Sequence, residues 1–122
     1  ESMVKSDMMI SDLSGVIWDY AFLFAKPVLL LKTPFETIEG FEGSELDYPM
    51  WEVRERSRLG REFDENDVER IGSIVQELLQ NPQAMQLKQL RDESVYNFGV
   101  AGQVAANQII EIISNLSDTK LK

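Results

Sequence analysis

Residues 6–31, SDMMISDLSGVIWDYAFLFAKPVLLL, decide the fold class. An apolar run, Met8, Met9 and Ile10, ends at Ser11-Asp12, and a short turn carries Ser14-Gly15. An apolar run of helix length follows, and Lys26-Pro27 leads into Val28–Leu31. That order predicts a β-turn-α-β unit and therefore an α/β fold with parallel strands. From Ser14 to about Ala25 the residues are apolar nearly all round, which predicts a helix buried on most sides. The aliphatic run Val28–Leu31 fits a strand covered on both faces.

In an open α/β sheet, ligands bind beyond the carboxyl ends of the strands, where a helix start offers unpaired N–H groups to an anion. Ser14 and Gly15 fall at such a start. The hydroxyl can cap the helix or donate to a phosphate oxygen, and glycine lets another group approach the backbone. Asp19 is the single charge in the apolar run. It stands five residues on, about 140° round a helix from Ser14, so the two share a face only if Ser14 belongs to the turn. The plainer alternative is that Asp12 and Ser14 only cap the helix while Asp19 bonds a backbone group.

Residues 6–28 also resemble the second nucleotide-binding half of the CDP-glycerol glycerophosphotransferase family, enzymes of teichoic-acid-like polymer synthesis. In that family a strand is followed by S/T-D-[YF]-S-[SG], a short spacer and an Asp. The ending Tyr96-Asn97-Phe98-Gly99 before a final helix is similar to the family's C-terminus. The resemblance implies a Rossmann-like C-terminal half-domain of a glycosyltransferase-B-like fold, with residues 1–122 as one donor-binding subdomain truncated at its N-terminus. It implies that Ser14 and the helix-start amides contact a phosphate of a CDP-linked donor such as CDP-glycerol, with Asp12 and Gly15 in the same loop and Asp19 near the sugar hydroxyls. A carboxylate suits ribose because it accepts from neighbouring hydroxyls, whereas a phosphate wants donors. Gly15 stands where many relatives have a second Ser, so one side-chain donor would be replaced by main chain. The family's catalytic histidines lie upstream, so the resemblance places no catalytic residue in this stretch and requires neither metal nor cofactor. Its implied partners are an upstream domain of the same chain and, through it, a polymer acceptor. The implied location is cytoplasmic, with the parent enzyme peripheral on the inner face of the cell membrane.

Bulk composition sets bounds around this reading. A chain of 122 residues with 43% hydrophobic content supports one ordinary globular domain. With 21 acidic against 12 basic residues its formal charge is −9, which argues against nucleic acid or an anionic membrane surface as a partner. Any phosphate must be held locally. Cysteine and histidine are both absent, which removes disulfides, thiol chemistry, the serine-triad logic and most transition-metal sites. No apolar run approaches the roughly 20 residues that span a bilayer. Neither a signal peptide nor an initiator methionine is evident, and the chain reads as a piece of a longer protein.

Beyond Leu31, residues 33–52 carry six carboxylates and no basic residue, with Pro34, Gly40, Gly43 and Pro49 as breakers, and read as an acidic surface loop. Arg54, Arg56, Arg58 and Arg61 follow, either as counter-charges to that loop or as phosphate contacts. Leu59–Phe63 suggests an edge strand. A helix over about 65–80 is predicted from an Asp64 cap, a Phe63–Val68 staple and the stripe Val68, Ile71, Ile74, Val75, Leu78 and Leu79. Further helices are expected over about 82–96 and 100–116, the last marked by Ala101, Val104, Ala105, Ile109, Ile112, Ile113 and Leu116. Two other functions stay open. One is the donor domain of a sugar-nucleotide glycosyltransferase, separable by base preference. The other is a non-catalytic α/β interaction module, which would show no nucleotide response.

Overall fold

The computed structural model describes residues 2–33 and 45–119. Pro34–Ser44, most of the expected acidic loop, lies outside the described residues. The chain divides into two compact units, residues 1–90 and 91–122.

The first unit is α/β. A short helix α1 (Ser2–Lys5) precedes β1 (Met9–Ser11), α2 (Val16–Phe24), β2 (Val28–Leu31), α3 (Trp51–Glu55) and β3 (Gly60–Phe63), then α4 (Ile71–Gln80) and α5 (Ala84–Ser94). The three strands are all parallel in the order β1-β2-β3, with Met9 opposite Val28 and Val28 opposite Gly60. The strand–turn–helix–strand order expected from residues 6–31 is therefore present. Central strand β2 is buried on both faces. Leu29 packs with Ile74 and Leu78 of α4, flanked by Met8, Phe63, Ile71 and Val75. Val28 and Leu30 point to the opposite face by strand alternation and are equally inaccessible.

Several expectations need correction. The apolar run that forms β1 is not covered throughout: Ile10 is 55% exposed, because β1 lies at the sheet edge and Ile10 points away from the covered face. Helix α2 buries Ile17, Trp18, Tyr20, Ala21 and Phe22 but leaves Val16, Asp19 and Leu23 exposed. These three stand at i, i+3 and i+7, so one side of the apolar helix is open to solvent. Residues 65–80 are not one α-helix either. Glu65–Arg70 form a 3-10 segment and α geometry starts at Ile71. The cause is the capping box: the Asp64 carboxylate accepts from the Asn66 N–H at 2.8 Å, and the Asp64 N–H donates to Asp67 Oδ2 at 3.3 Å. That box draws the first turns tight. Val68 is consequently 57% exposed and off the buried stripe.

Around the sheet, local anchors fix the connections. The Tyr20 hydroxyl donates to the Ser6 carbonyl at 3.2 Å and accepts from Ser6 Oγ at 3.1 Å, while Lys26 Nζ donates to the Val4 carbonyl at 3.0 Å. These bonds hold α1 beside α2. Trp18 meets Trp51 of α3 at 4.4 Å between ring centroids and Phe22 edge-on at 5.6 Å.

The second unit contains the end of α5, a turn and α6 (Ala101–Thr119). In the turn, Asn97 and Gly99 adopt left-handed conformations with φ of 55° and 79°, and the Val100 N–H donates to the Asn97 carbonyl at 2.9 Å. The Arg91 guanidinium lies over the Phe98 ring at 4.3 Å. No residue from Arg91 to Leu116 is buried. Among the described residues no helix is long and apolar enough to cross a membrane.

Candidate functional site

Because the three strands are parallel, their carboxyl ends share one edge of the sheet, and adjacent strands lie about 4.8 Å apart. Three short segments therefore stand side by side there: Asp12–Gly15 after β1, Lys32-Thr33 after β2 and Asp64–Asn66 after β3.

After β1, Asp12 and Gly15 are exposed and Ser14 is half-buried. The first turn of α2 closes through the Ile17 N–H onto the Ser14 carbonyl at 3.0 Å and the Trp18 N–H onto the Gly15 carbonyl at 3.1 Å. Amides ahead of Ile17 have no intrahelical acceptor and face the turn. The N-cap of α2 is Gly15, which has no side chain to cap with, and the Ser14 hydroxyl makes no hydrogen bond among the described residues. A Cβ added at Gly15 would meet nothing within 4 Å, so space is open beside that backbone. Ser14 precedes the helix, and Asp19 is on its exposed side with Val16. All four expected site residues thus stand at the surface or half-buried, with none enclosed in the core.

After β2 and β3 there is an open crevice of about 490 Å³ lined by Leu31, Lys32, Thr33, Asp64, Glu65 and Asn66. Thr33 Oγ1 donates to the Leu31 carbonyl at 3.2 Å, the Lys32 N–H donates to the Phe63 carbonyl at 2.8 Å, and Asn66 Nδ2 donates to Asp64 Oδ1 at 3.0 Å. Arg56 lies beneath this edge. It is only 3% exposed, its Nη2 donates to the Leu31 carbonyl at 2.7 Å, and its Nε faces Glu62 Oε1 at 3.1 Å.

No family model, curated protein or solved structure matches this chain. Its function is therefore argued from this edge alone.

Sequence reasoning overlooked Lys32, whose only signal is that it directly follows an aliphatic strand. The arginine group is dispersed by the fold. Arg54 and Arg58 pair with Glu55 at 2.8 and 3.0 Å, Arg56 with Glu62, and Arg61 with Glu77 at 2.8 Å. Among the described residues each of the four arginines thus has a carboxylate partner. Hydrogen bonds from Arg54 and then Arg58 hold the Glu55 carboxyl below its ordinary value of 4.5. Among the described residues no group of three or more acidic side chains is placed to hold a metal ion.

Proposed function

We propose that this chain is the donor-binding part of a CDP-glycerol glycerophosphotransferase-like enzyme with a glycosyltransferase-B-like fold. In this reading it holds a nucleoside diphosphate so that glycerophosphate, or a related polyol phosphate, passes to a polymer acceptor bound by another part of the enzyme. One observation carries the proposal: Ser14 and Gly15 stand exposed or half-exposed at the carboxyl end of a parallel strand, directly ahead of a helix capped by glycine, and the Ser14 hydroxyl is unbonded among the described residues. An unspent hydroxyl and unpaired amides are donors, which is what a diphosphate needs. Lys32, directly after the neighbouring strand, adds in this reading a positive charge at the same sheet edge, in a protein whose net charge of −9 otherwise repels anions. Asp19, on the exposed side of α2, is positioned in this reading to accept from the ribose hydroxyls. Proton transfer is assigned to groups outside this chain, which has no histidine.

The test is calorimetric titration of the chain with CDP-glycerol, CDP, UDP and GDP. The expected result is preference for the cytidine ligands, with Ser14→Ala weakening binding about tenfold, the usual effect of losing a hydrogen bond to a charged group. Stronger binding of UDP or GDP would favour a sugar-nucleotide glycosyltransferase, and no heat with any nucleotide would favour an interaction module.

A further inference from the structure

Helix α6 carries an apolar face that is self-complementary in size. At 100° per residue, Gly102, Ala105, Ala106, Ile109, Ile112, Ile113 and Leu116 fall within about 60° either side of Ile109. Gln103, Asn107, Glu111 and Ser114 occupy the other side. On the apolar face Ile109, Ile112, Ile113 and Leu116 are 56–60% exposed, and every residue of the helix from Ala101 to Leu116 is exposed except half-buried Val104. An apolar stripe of this width needs a partner surface, since a helix of this length is marginal in water on its own.

The order of sizes along the stripe selects the partner. The small residues Gly102, Ala105 and Ala106 occupy its first half, and the bulky Ile112, Ile113 and Leu116 its second half, with Ile109 at the centre. Turning a second copy of the helix end over end about Ile109 sets Gly102 against Leu116, Ala105 against Ile112 and Ala106 against Ile113. Each large side chain then meets a small one, as close packing across a helix pair requires. Charge agrees with self-pairing. Between Ala101 and Leu116 the only charged residue is Glu111, which lies on the polar side, so the acidic character of the chain is kept off the seam. The antiparallel arrangement also opposes the two helix dipoles favourably.

We propose that α6 is a homodimerisation element, pairing antiparallel with α6 of a second copy about a two-fold axis at Ile109. The contact is isologous, with residue i meeting j and j meeting i. A seam about 24 Å long falls at the small end of specific interfaces, under roughly 1,200 Å² in total, so the dimer is a weak, reversible one. This inference is independent of nucleotide binding, because no residue of the strand-end edge takes part in it.

The experiment is sedimentation equilibrium of the 122-residue chain from about 1 to 500 μM, combined with cysteine cross-linking, which the cysteine-free sequence allows without background. The expected mass rises with concentration from 14.0 kDa towards twice that value. Ile109→Glu, which sets two carboxylates against each other at the axis, should abolish the rise, while Asn107→Glu on the polar side should leave it unchanged. Helical circular dichroism of both variants checks that they fold. Under mild oxidation Ile109→Cys should cross-link with itself, and Gly102→Cys should cross-link with Leu116→Cys in a mixture while neither does so alone. A chain that stays monomeric throughout the range overturns the proposal. So does a dimer indifferent to Ile109→Glu, or Gly102→Cys cross-linking with itself, which would report a parallel pair.

Discussion

A Cβ built at Gly60 would lie 1.8 Å from the Val28 carbonyl oxygen and 2.9 Å from its carbon. Gly60 faces Val28 in the β2–β3 ladder, so the obstacle is backbone in the centre of the sheet, which cannot step aside as a flexible side chain would. Gly60→Ala is expected to lower stability by roughly 2–4 kcal/mol, read from denaturant midpoints, by prising β3 away from β2. Gly15 contrasts with it, since its added Cβ meets open space at φ −53°. Gly15→Ala should change stability by less than about 1 kcal/mol while reducing the affinity for a nucleoside diphosphate if that ligand lies over this backbone. Measuring both quantities on one variant separates a role in binding from a role in folding.

At the scale of elements, α4 rests on two buried positions, and the 3-10 segment leading into it rests on the Asp64 cap. Asp64→Ala removes the side-chain acceptor from the Asn66 amide and is expected to cost about 1 kcal/mol, whereas Leu78→Ala opens space against Leu29 and should cost roughly 2–5 kcal/mol. The connection before β3 is tied by charge, with Glu55 between Arg54 and Arg58. Because the folded-state pKa of Glu55 is lowered, the stabilisation is present above its ordinary value of 4.5 and is lost as pH falls through the lower folded value. Melting temperatures taken from pH 6 to pH 3 should show Glu55→Gln less stable than the parent at pH 6 and the difference closing as the pH falls through the lowered folded-state value.

Across the whole molecule the two units are built on different terms. Residues 1–90 contain the sheet, its buried core and both tryptophans, whereas residues 91–116 bury no side chain. Thermal unfolding followed by Trp18 and Trp51 fluorescence is therefore expected to be a single sharp transition, while far-ultraviolet circular dichroism at low concentration should carry an added broad, early component from α6. Coincident curves at 1 μM would contradict this division of stability.

The local plan was legible in residues 6–31 and 60–80 because it depends on near neighbours. The apolar run broken at Ser11-Asp12, the aliphatic block Val28–Leu31 and the Asp64 cap each express periodicity or hydrogen bonding within a few residues. That level of information fixed an α/β chain with parallel strands and placed Asp12, Ser14, Gly15 and Asp19 around one strand–helix turn. Lateral neighbours along the sheet are a different matter, since nothing in the sequence says which strand lies beside which. Only the tertiary structure put β2 in the centre and left Ile10 exposed at the edge. It brought Gly60 against the Val28 carbonyl, buried Arg56 under the end of β2, and set Lys32 one strand from Ser14. Those contacts join residues up to 32 positions apart through packing and pairing, which are properties of the assembled sheet.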